Sequence, residues 1–182
     1  AHAKGIKVIL DLVLNHTSNL HPWFQRARFA PKDSKERNVY VWSDDPNRYK
    51  EAPVLFRNFE SSNWEWDEVA NQYYFHRFLR HQPDLNYENP WVQEQMLSVV
   101  DFWLARGVDG FRLDAVPFLF EEEGSRCEGL EETHLFLKKV RKRVDSSGKD
   151  TLLLAEAIQP VNEAAPYLAD DELNGAFNFV LT

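Results

Sequence analysis

A single cysteine, Cys127, leaves the chain without a partner for an intramolecular disulfide, which points to a reducing, cytoplasmic compartment. Positive charge is scarce: 21 Lys and Arg against 29 Asp and Glu give a net charge of -8. A nucleic-acid partner needs a basic patch to neutralise phosphates, so that class is excluded. The one basic run, Lys138 to Arg143, falls on a helical pattern and reads as its solvated face. No apolar run approaches the roughly 18 residues of a membrane span, and no signal peptide is visible, so no membrane partner is expected. There is no initiator methionine. Ala1-His2-Ala3-Lys4-Gly5 reads as the last turn of a helix closed by its glycine, and the chain is expected to be a piece of a longer protein.

What is abundant is apolar and aromatic. Of the 182 residues 43% are hydrophobic and 14% aromatic, enough for a real core. Ile6 to Leu14 is almost continuously apolar, interrupted by Lys7 and Asp11, as in a parallel strand buried on both faces. Asn89-Pro90 opens a helix, with Asn as cap and Pro in its first turn; Val92, Met96, Val99, Val100, Trp103 and Leu104 follow helical spacing until Gly107. A strand from Gly110 follows, then a helix from about Thr133 to Val144. Another buried strand spans Thr151 to Ala157, a short helix Asn162 to Leu168, and a last strand Gly175 to Leu181. Strands alternating with helices mean a parallel β/α fold.

Between Thr17 and about Tyr87 this rhythm is lost. Pro, Asn, Asp and Ser punctuate the stretch and aromatics crowd it, with small strands expected at Val39 to Trp42 and Gln72 to Phe75. About seventy residues are too many for an unstructured loop, so this is an inserted subdomain whose aromatics mostly form its own core. The chain therefore divides into residues 1–16, the insertion 17–87, and 88–182.

The chemistry gathers at strand ends. In Gly110-Phe111-Arg112-Leu113-Asp114, residues two apart share a face, so Arg112 and Asp114 point one way while Phe111 and Leu113 point the other. An arginine beside an aspartate keeps that carboxylate ionised and oriented. On that pattern alone a structural ion pair is the stronger reading. Asp11, inside an apolar run, needs a partner, and a buried carboxylate bonded to backbone amides is one way to give it one. Asp11, Asn15, His16, Arg112, Asp114 and Glu156 nevertheless all fall at the C-terminal ends of strands, where β/α folds place their active sites. Three carboxylates on three successive strands are hard to assign to chance.

These residues carry a resemblance. Asp11-Leu12-Val13-Leu14-Asn15-His16, Gly110-Phe111-Arg112-Leu113-Asp114-Ala115 and Leu154-Ala155-Glu156 resemble, in order, the first three signatures of the α-amylase superfamily of glycoside hydrolases. Gln82-Pro83-Asp84-Leu85-Asn86 resembles the extra signature of its oligo-1,6-glucosidase branch. His21-Pro22-Trp23-Phe24, Tyr40 to Asp44, Ser62-Asn63-Trp64, Tyr73 to Phe78, Ala115 to Glu121 and Cys127 to His134 resemble the trehalose synthases, or maltose α-D-glucosyltransferases.

The resemblance implies an α/β fold: a partial TIM (β/α)8 barrel, its strands 3 to 6, with a B subdomain inserted after strand 3. It implies Asp114 as nucleophile of a retaining mechanism, Glu156 as acid and base, and Arg112 keeping Asp114 anionic. His16 would bond a sugar hydroxyl, Asp11 would orient Arg112 and His16, and Gln82 would lie near the substrate without an assigned role. No organic cofactor is implied; a structural calcium ion is, held by Asn15, Asp84, Glu121 and the carbonyls of Phe118 and Leu119. The expected activity is interconversion of maltose and trehalose. The alternatives are an α-glucosidase acting on short α-glucans and a non-catalytic amylase-like subunit. The superfamily's third acid falls outside the chain, so these residues alone are expected to be inactive. A homo-oligomer of the full-length enzyme is left open.

Overall fold

The computed structural model describes residues 1–179. In chain order its elements are β1 (Ile9–Val13), α1 (Pro22–Phe29), β2 (Trp42–Ser43), β3 (Trp64–Asp67) and β4 (Gln72–Phe75). There follow α2 (Pro90–Ala105), β5 (Gly110–Asp114), α3 (Glu131–Ser146), β6 (Leu152–Ala155), α4 (Val161–Ala164) and β7 (Gly175–Ala176). The strand expected from Gly175 to Leu181 is thus two residues long, and Val180 and Leu181 lie outside the described residues. No helix among the described residues is long and apolar enough to cross a membrane.

The residues group into two compact units. The first comprises Ala1–Leu14, Gln93–Pro117 and the chain from Gly129 onward; the second comprises Asn15–Val92 and Phe118–Glu128.

The first unit is built on a parallel sheet in the order β1-β5-β6-β7. Its register aligns Asp11 with Arg112 and Leu154, and Val13 with Asp114. Because side chains alternate across a strand, Leu12, Phe111, Leu113, Leu153 and Ala155 fall on one face, and all five are buried. Fully burying a Leu or Phe side chain contributes about 2 kcal/mol. The buried residues of α2 (Met96, Leu97, Val100, Leu104) and α3 (Phe136, Leu137, Val140, Val144) recur at helical spacing, one apolar stripe on each helix. Of the basic run on α3, Lys139 and Lys142 are exposed, whereas Lys138 pairs with Asp171, Arg141 with Asp145, and Arg143 with Glu94 and Asp101, and Val140 among them is buried.

The opposite face departs from the expectation of a strand buried on both sides. Ile9 and Val13 are each 44% exposed and Leu152 37%. This same face carries the charged side chains of Asp11, Arg112 and Asp114. Asp11 is accordingly no buried carboxylate among amides: its side chain is 56% exposed and pairs with Arg112. Gly110 is required where β5 meets its neighbours. A Cβ there would lie 2.7 Å from the Leu152 carbonyl oxygen and 3.3 Å from Ile9.

The second unit holds a three-stranded antiparallel sheet, β2-β4-β3, pairing Trp42 with Tyr74 and Trp64 with Phe75. Its aromatics do form its own core: Val41, Tyr49, Ala52, Trp64, Phe75 and Cys127 cluster together, with Tyr49 and Trp64 stacked and both rings edge-on to Phe75. The strand expected at Val39 to Trp42 is instead a 3-10 turn at Arg37–Val39 followed by β2. Ser34 Oγ accepts from the Arg37 N–H, and the buried Arg37 guanidinium donates to the carbonyls of Ala27 and Ala30 and to Gln72 Oε1, which bends the backbone there.

Candidate active site

In the first unit, alternation along β5 brings Arg112 and Asp114 to the open face, and the turn after β6 adds Glu156. The Glu156 backbone N–H donates to the Leu113 carbonyl at 2.9 Å, holding that turn against β5. One guanidinium then meets three carboxylates. Arg112 Nη1 contacts Asp11 and lies 3.1 Å from Asp114 Oδ1, while Nη2 lies 2.6 Å from Glu156 Oε1. The four side chains singled out at strand ends in this unit thus converge.

The two acids on β5 and β6 do not experience the same surroundings. Glu156 is held above the usual carboxylate range, first by burial and then by a hydrogen bond and like charge from Asp114. Arg112 and the Ala115 backbone N–H pull the other way and do not prevail. Two carboxyls on neighbouring strands, one of them raised and the other held by an arginine, are an arrangement suited to acid/base and nucleophilic work.

Ala115 was not among the expected residues. Its φ of 55° is left-handed, a costly conformation for a side-chain-bearing residue, and it is 4% exposed. That twist sets its N–H toward Glu156 immediately after the nucleophile candidate. No composition or spacing signal marks it.

In the second unit, His16 and Asp84 pair as an isolated antiparallel bridge, which aligns Asn15-His16 with Gln82 to Asp84. Gln82 Nε2 lies 2.8 Å from His16 Nε2, and Gln82 Oε1 accepts from the Leu79 N–H. The amide therefore presents its NH2 to the ring, and His16 Nε2 is an acceptor. Burial, with His81 nearby, pushes the His16 pKa down to about 4, so the imidazole is neutral near pH 7. Phe78 packs on its ring at 5.2 Å.

The remaining expected residues are also in this unit. Asn15, Asp84, Leu119 and Glu121 are buried, and Phe118 packs edge-on to Phe78. Burial pushes Asp84 up to about 8, although the Arg77 N–H and the Asn15 side chain oppose it. Glu121 is raised too, by burial and then by the charge of Asp84. Asn15 Oδ1 and Asp84 Oδ1 have no hydrogen-bond partner among the described residues. Two buried carboxyls and two unbonded oxygens are the kind of donor set a hard cation takes. Among the described residues no three His, Cys, Asp or Glu side chains form a metal cluster, so an amide and backbone carbonyls must complete any such site. Arg77 is fully buried and ion-paired with Glu128, and nothing in the sequence marks it beyond its place in the Tyr73 to Phe78 segment.

Residues 1–182 match the α-amylase family, as the catalytic domain of α-amylases. The chain is 54% identical over 186 aligned residues to a trehalose synthase/amylase of Mycobacterium tuberculosis, covering 100% of this chain and 31% of that protein. It is 50% identical over 183 residues to a trehalose synthase of Thermus thermophilus, covering 100% of this chain and 19% of that one. Among solved structures, the trehalulose synthase MutB of Pseudomonas mesoacidophila superimposes with a TM-score of 0.87 at 30% identity, covering 99% of this chain and 35% of that chain. The chain thus spans a third or less of the curated relatives named here.

Proposed function

The chain belongs to the α-amylase family, and from that premise we propose that it supplies the nucleophile and the acid/base of an enzyme that interconverts maltose and trehalose. The parallel sheet is read as strands 3 to 6 of a (β/α)8 barrel, and the antiparallel unit as the B subdomain inserted after strand 3. The observation that carries the proposal is the Arg112 fork, with Asp114 on one arm and Glu156, its pKa raised, on the other.

Asp114 attacks the anomeric carbon of the non-reducing glucose of maltose while Glu156 gives its proton to the glycosidic oxygen. The C–O bond breaks, glucose is released, and a covalent glucosyl ester of Asp114 remains. The ester and an ionised Glu156 then meet the freed glucose through its anomeric hydroxyl. Glu156 takes that proton, the oxygen attacks the ester carbon, and trehalose leaves with Asp114 restored as the carboxylate. Isomerisation rather than hydrolysis requires water to be kept from the ester. Arg112 holds and orients the Asp114 carboxylate, Asp11 holds Arg112, and the neutral His16, backed by Gln82, is suited to bond a sugar hydroxyl.

Asn15, Asp84 and Glu121, with the carbonyls of Phe118 and Leu119, would hold a calcium ion whose contribution is charge and order in the second unit. Its support is the unbonded oxygens of Asn15 and Asp84.

Product analysis tests the function. Given maltose, the full-length enzyme yields trehalose as the main product with glucose as a minor leak. Glucose alone would overturn the isomerase reading and favour hydrolysis of short α-glucosides through the same residues.

A further inference from the structure

Two helices of this chain begin in the same way. His21-Pro22-Trp23 opens α1 and Asn89-Pro90-Trp91 opens α2. In each the capping side chain accepts a hydrogen bond from the tryptophan's own N–H: His21 Nδ1 from Trp23 at 3.2 Å, and Asn89 Oδ1 from Trp91 at 3.0 Å. Proline fixes the turn between cap and indole. The two indoles lie side by side, their ring centres 5.1 Å apart and tilted by 58°, with the His21 ring edge-on to Trp23 at 5.1 Å.

The pair is not there to fill the core. The neighbours Phe24, Ala27 and Val92 are buried, whereas Trp91 is 46% exposed. Together the indoles wall a cavity of about 580 Å³, all of whose lining residues belong to the second unit. That volume lies within the range of small-molecule sites. Its rim includes Arg26, Lys35, Glu36 and Asn38. Asn38 Oδ1 and its carbonyl are occupied by the Asn86 amide, and the carbonyl also by Asn89, which fixes the asparagine in place. Arg26, Lys35 and Glu36 are exposed and make no side-chain hydrogen bond or ion pair among the described residues.

We propose that this cavity is a non-catalytic saccharide site, which takes a stretch of α-glucan chain by stacking sugar rings on Trp23 and Trp91. Each sugar ring presents an apolar C–H face and a polar hydroxyl edge. Indoles beside the free guanidinium, ammonium and carboxylate groups of Arg26, Lys35 and Glu36 match both. A protein partner would be better served by a flat apolar patch than by a concave pocket with unpaired charges on its rim. None of these residues belongs to the catalytic set. The choice of α-glucan rests on the proposed function; stacking of a saccharide does not.

The test is retardation of the full-length protein in native gels containing glycogen, alongside turnover of maltose. Wild type is retarded, and Trp91→Ala and Trp23→Ala each weaken glycogen binding about tenfold, the scale of one lost aromatic stack. Both variants keep the kcat/KM for maltose. Trp91→Tyr, which retains an aromatic face, restores most of the retardation. Wild type that migrates freely, or retardation unchanged in both alanine variants, overturns the site. Loss of retardation in the alanine variants of a protein that never turned over maltose would sustain the site and overturn the function proposed above instead.

Discussion

Arg112 Nη2 lies 2.6 Å from Glu156 Oε1 while Nη1 of the same guanidinium lies 3.1 Å from Asp114 Oδ1. An arginine this close ordinarily lowers the pKa of an acid, yet Glu156 is raised. Burial and the neighbouring Asp114 outweigh the cation, because Glu156 must share one charge with two other carboxylates, Asp11 among them. The same cation therefore pairs with Asp114 on one arm while Glu156 on the other stays raised. Each of the three side chains has a distinct signature on substitution.

Asp114→Asn keeps the size of the side chain and the Arg112 contact but removes the attacking anion. Maltose turnover by the full-length enzyme is expected to fall at least about a thousandfold, in keeping with loss of covalent catalysis. Thermal unfolding measured in parallel should be little changed. A variant retaining a tenth of the activity would remove Asp114 from the nucleophile's role.

Glu156→Gln removes the proton donor and leaves the nucleophile. Its effect should depend on the leaving group: large for maltose, whose departing sugar needs a proton, and small for formation of the glucosyl ester from α-glucosyl fluoride, whose fluoride does not. Pre-steady-state release of fluoride reads the first step alone. Equal losses on both substrates would argue that Glu156 is not the acid.

Arg112→Met deletes the positive charge shared by the cluster. Since Arg112 lowers the pKa of Glu156, its removal lets that pKa rise further, and the basic limb of kcat/KM against pH should move to higher pH while the maximum falls. A profile that dropped in height without shifting would mean that Arg112 acts through packing and not through charge.

The β/α rhythm was legible because it depends on local periodicity. Asn89-Pro90 announced α2, and the alternation of Phe111, Arg112, Leu113 and Asp114 announced both faces of β5. The apolar run of β1 shows how the strand prefers to be covered, and the exposure of Ile9 and Val13 agrees with strands whose inner face lacks the opposite half of a barrel. The Gln82–His16 contact joins residues 66 apart and fixes the hydrogen-bonding role of the imidazole, which spacing cannot convey. Ala115 is hidden for another reason. Its left-handed φ is imposed by the turn that aims its N–H at Glu156, against the preference of its own side chain.

The last prediction concerns stability and calcium in the full-length protein. Burial raises Asp84 to about 8 from an ordinary value of 3.8, and Glu121 moves the same way. Below about pH 4 folded and unfolded chains both hold the Asp84 proton, so its titration has no effect on stability there. As pH rises the unfolded chain ionises first while the folded one retains the proton, and stability falls until about pH 8. A bound calcium ion reverses the sign, because it favours the ionised carboxylates in the folded state alone. With chelator present, the thermal midpoint should therefore drop between pH 5 and 8. Millimolar calcium should recover about 5 °C or more at pH 8 and little at pH 5, where protons compete with the metal. Asp84→Asn removes one buried charge and one ligand charge together, so it should flatten the pH dependence and weaken the response to calcium. A midpoint at pH 8 that ignores both chelator and calcium would leave Asn15, Asp84 and Glu121 as a buried polar cluster with no ion to hold.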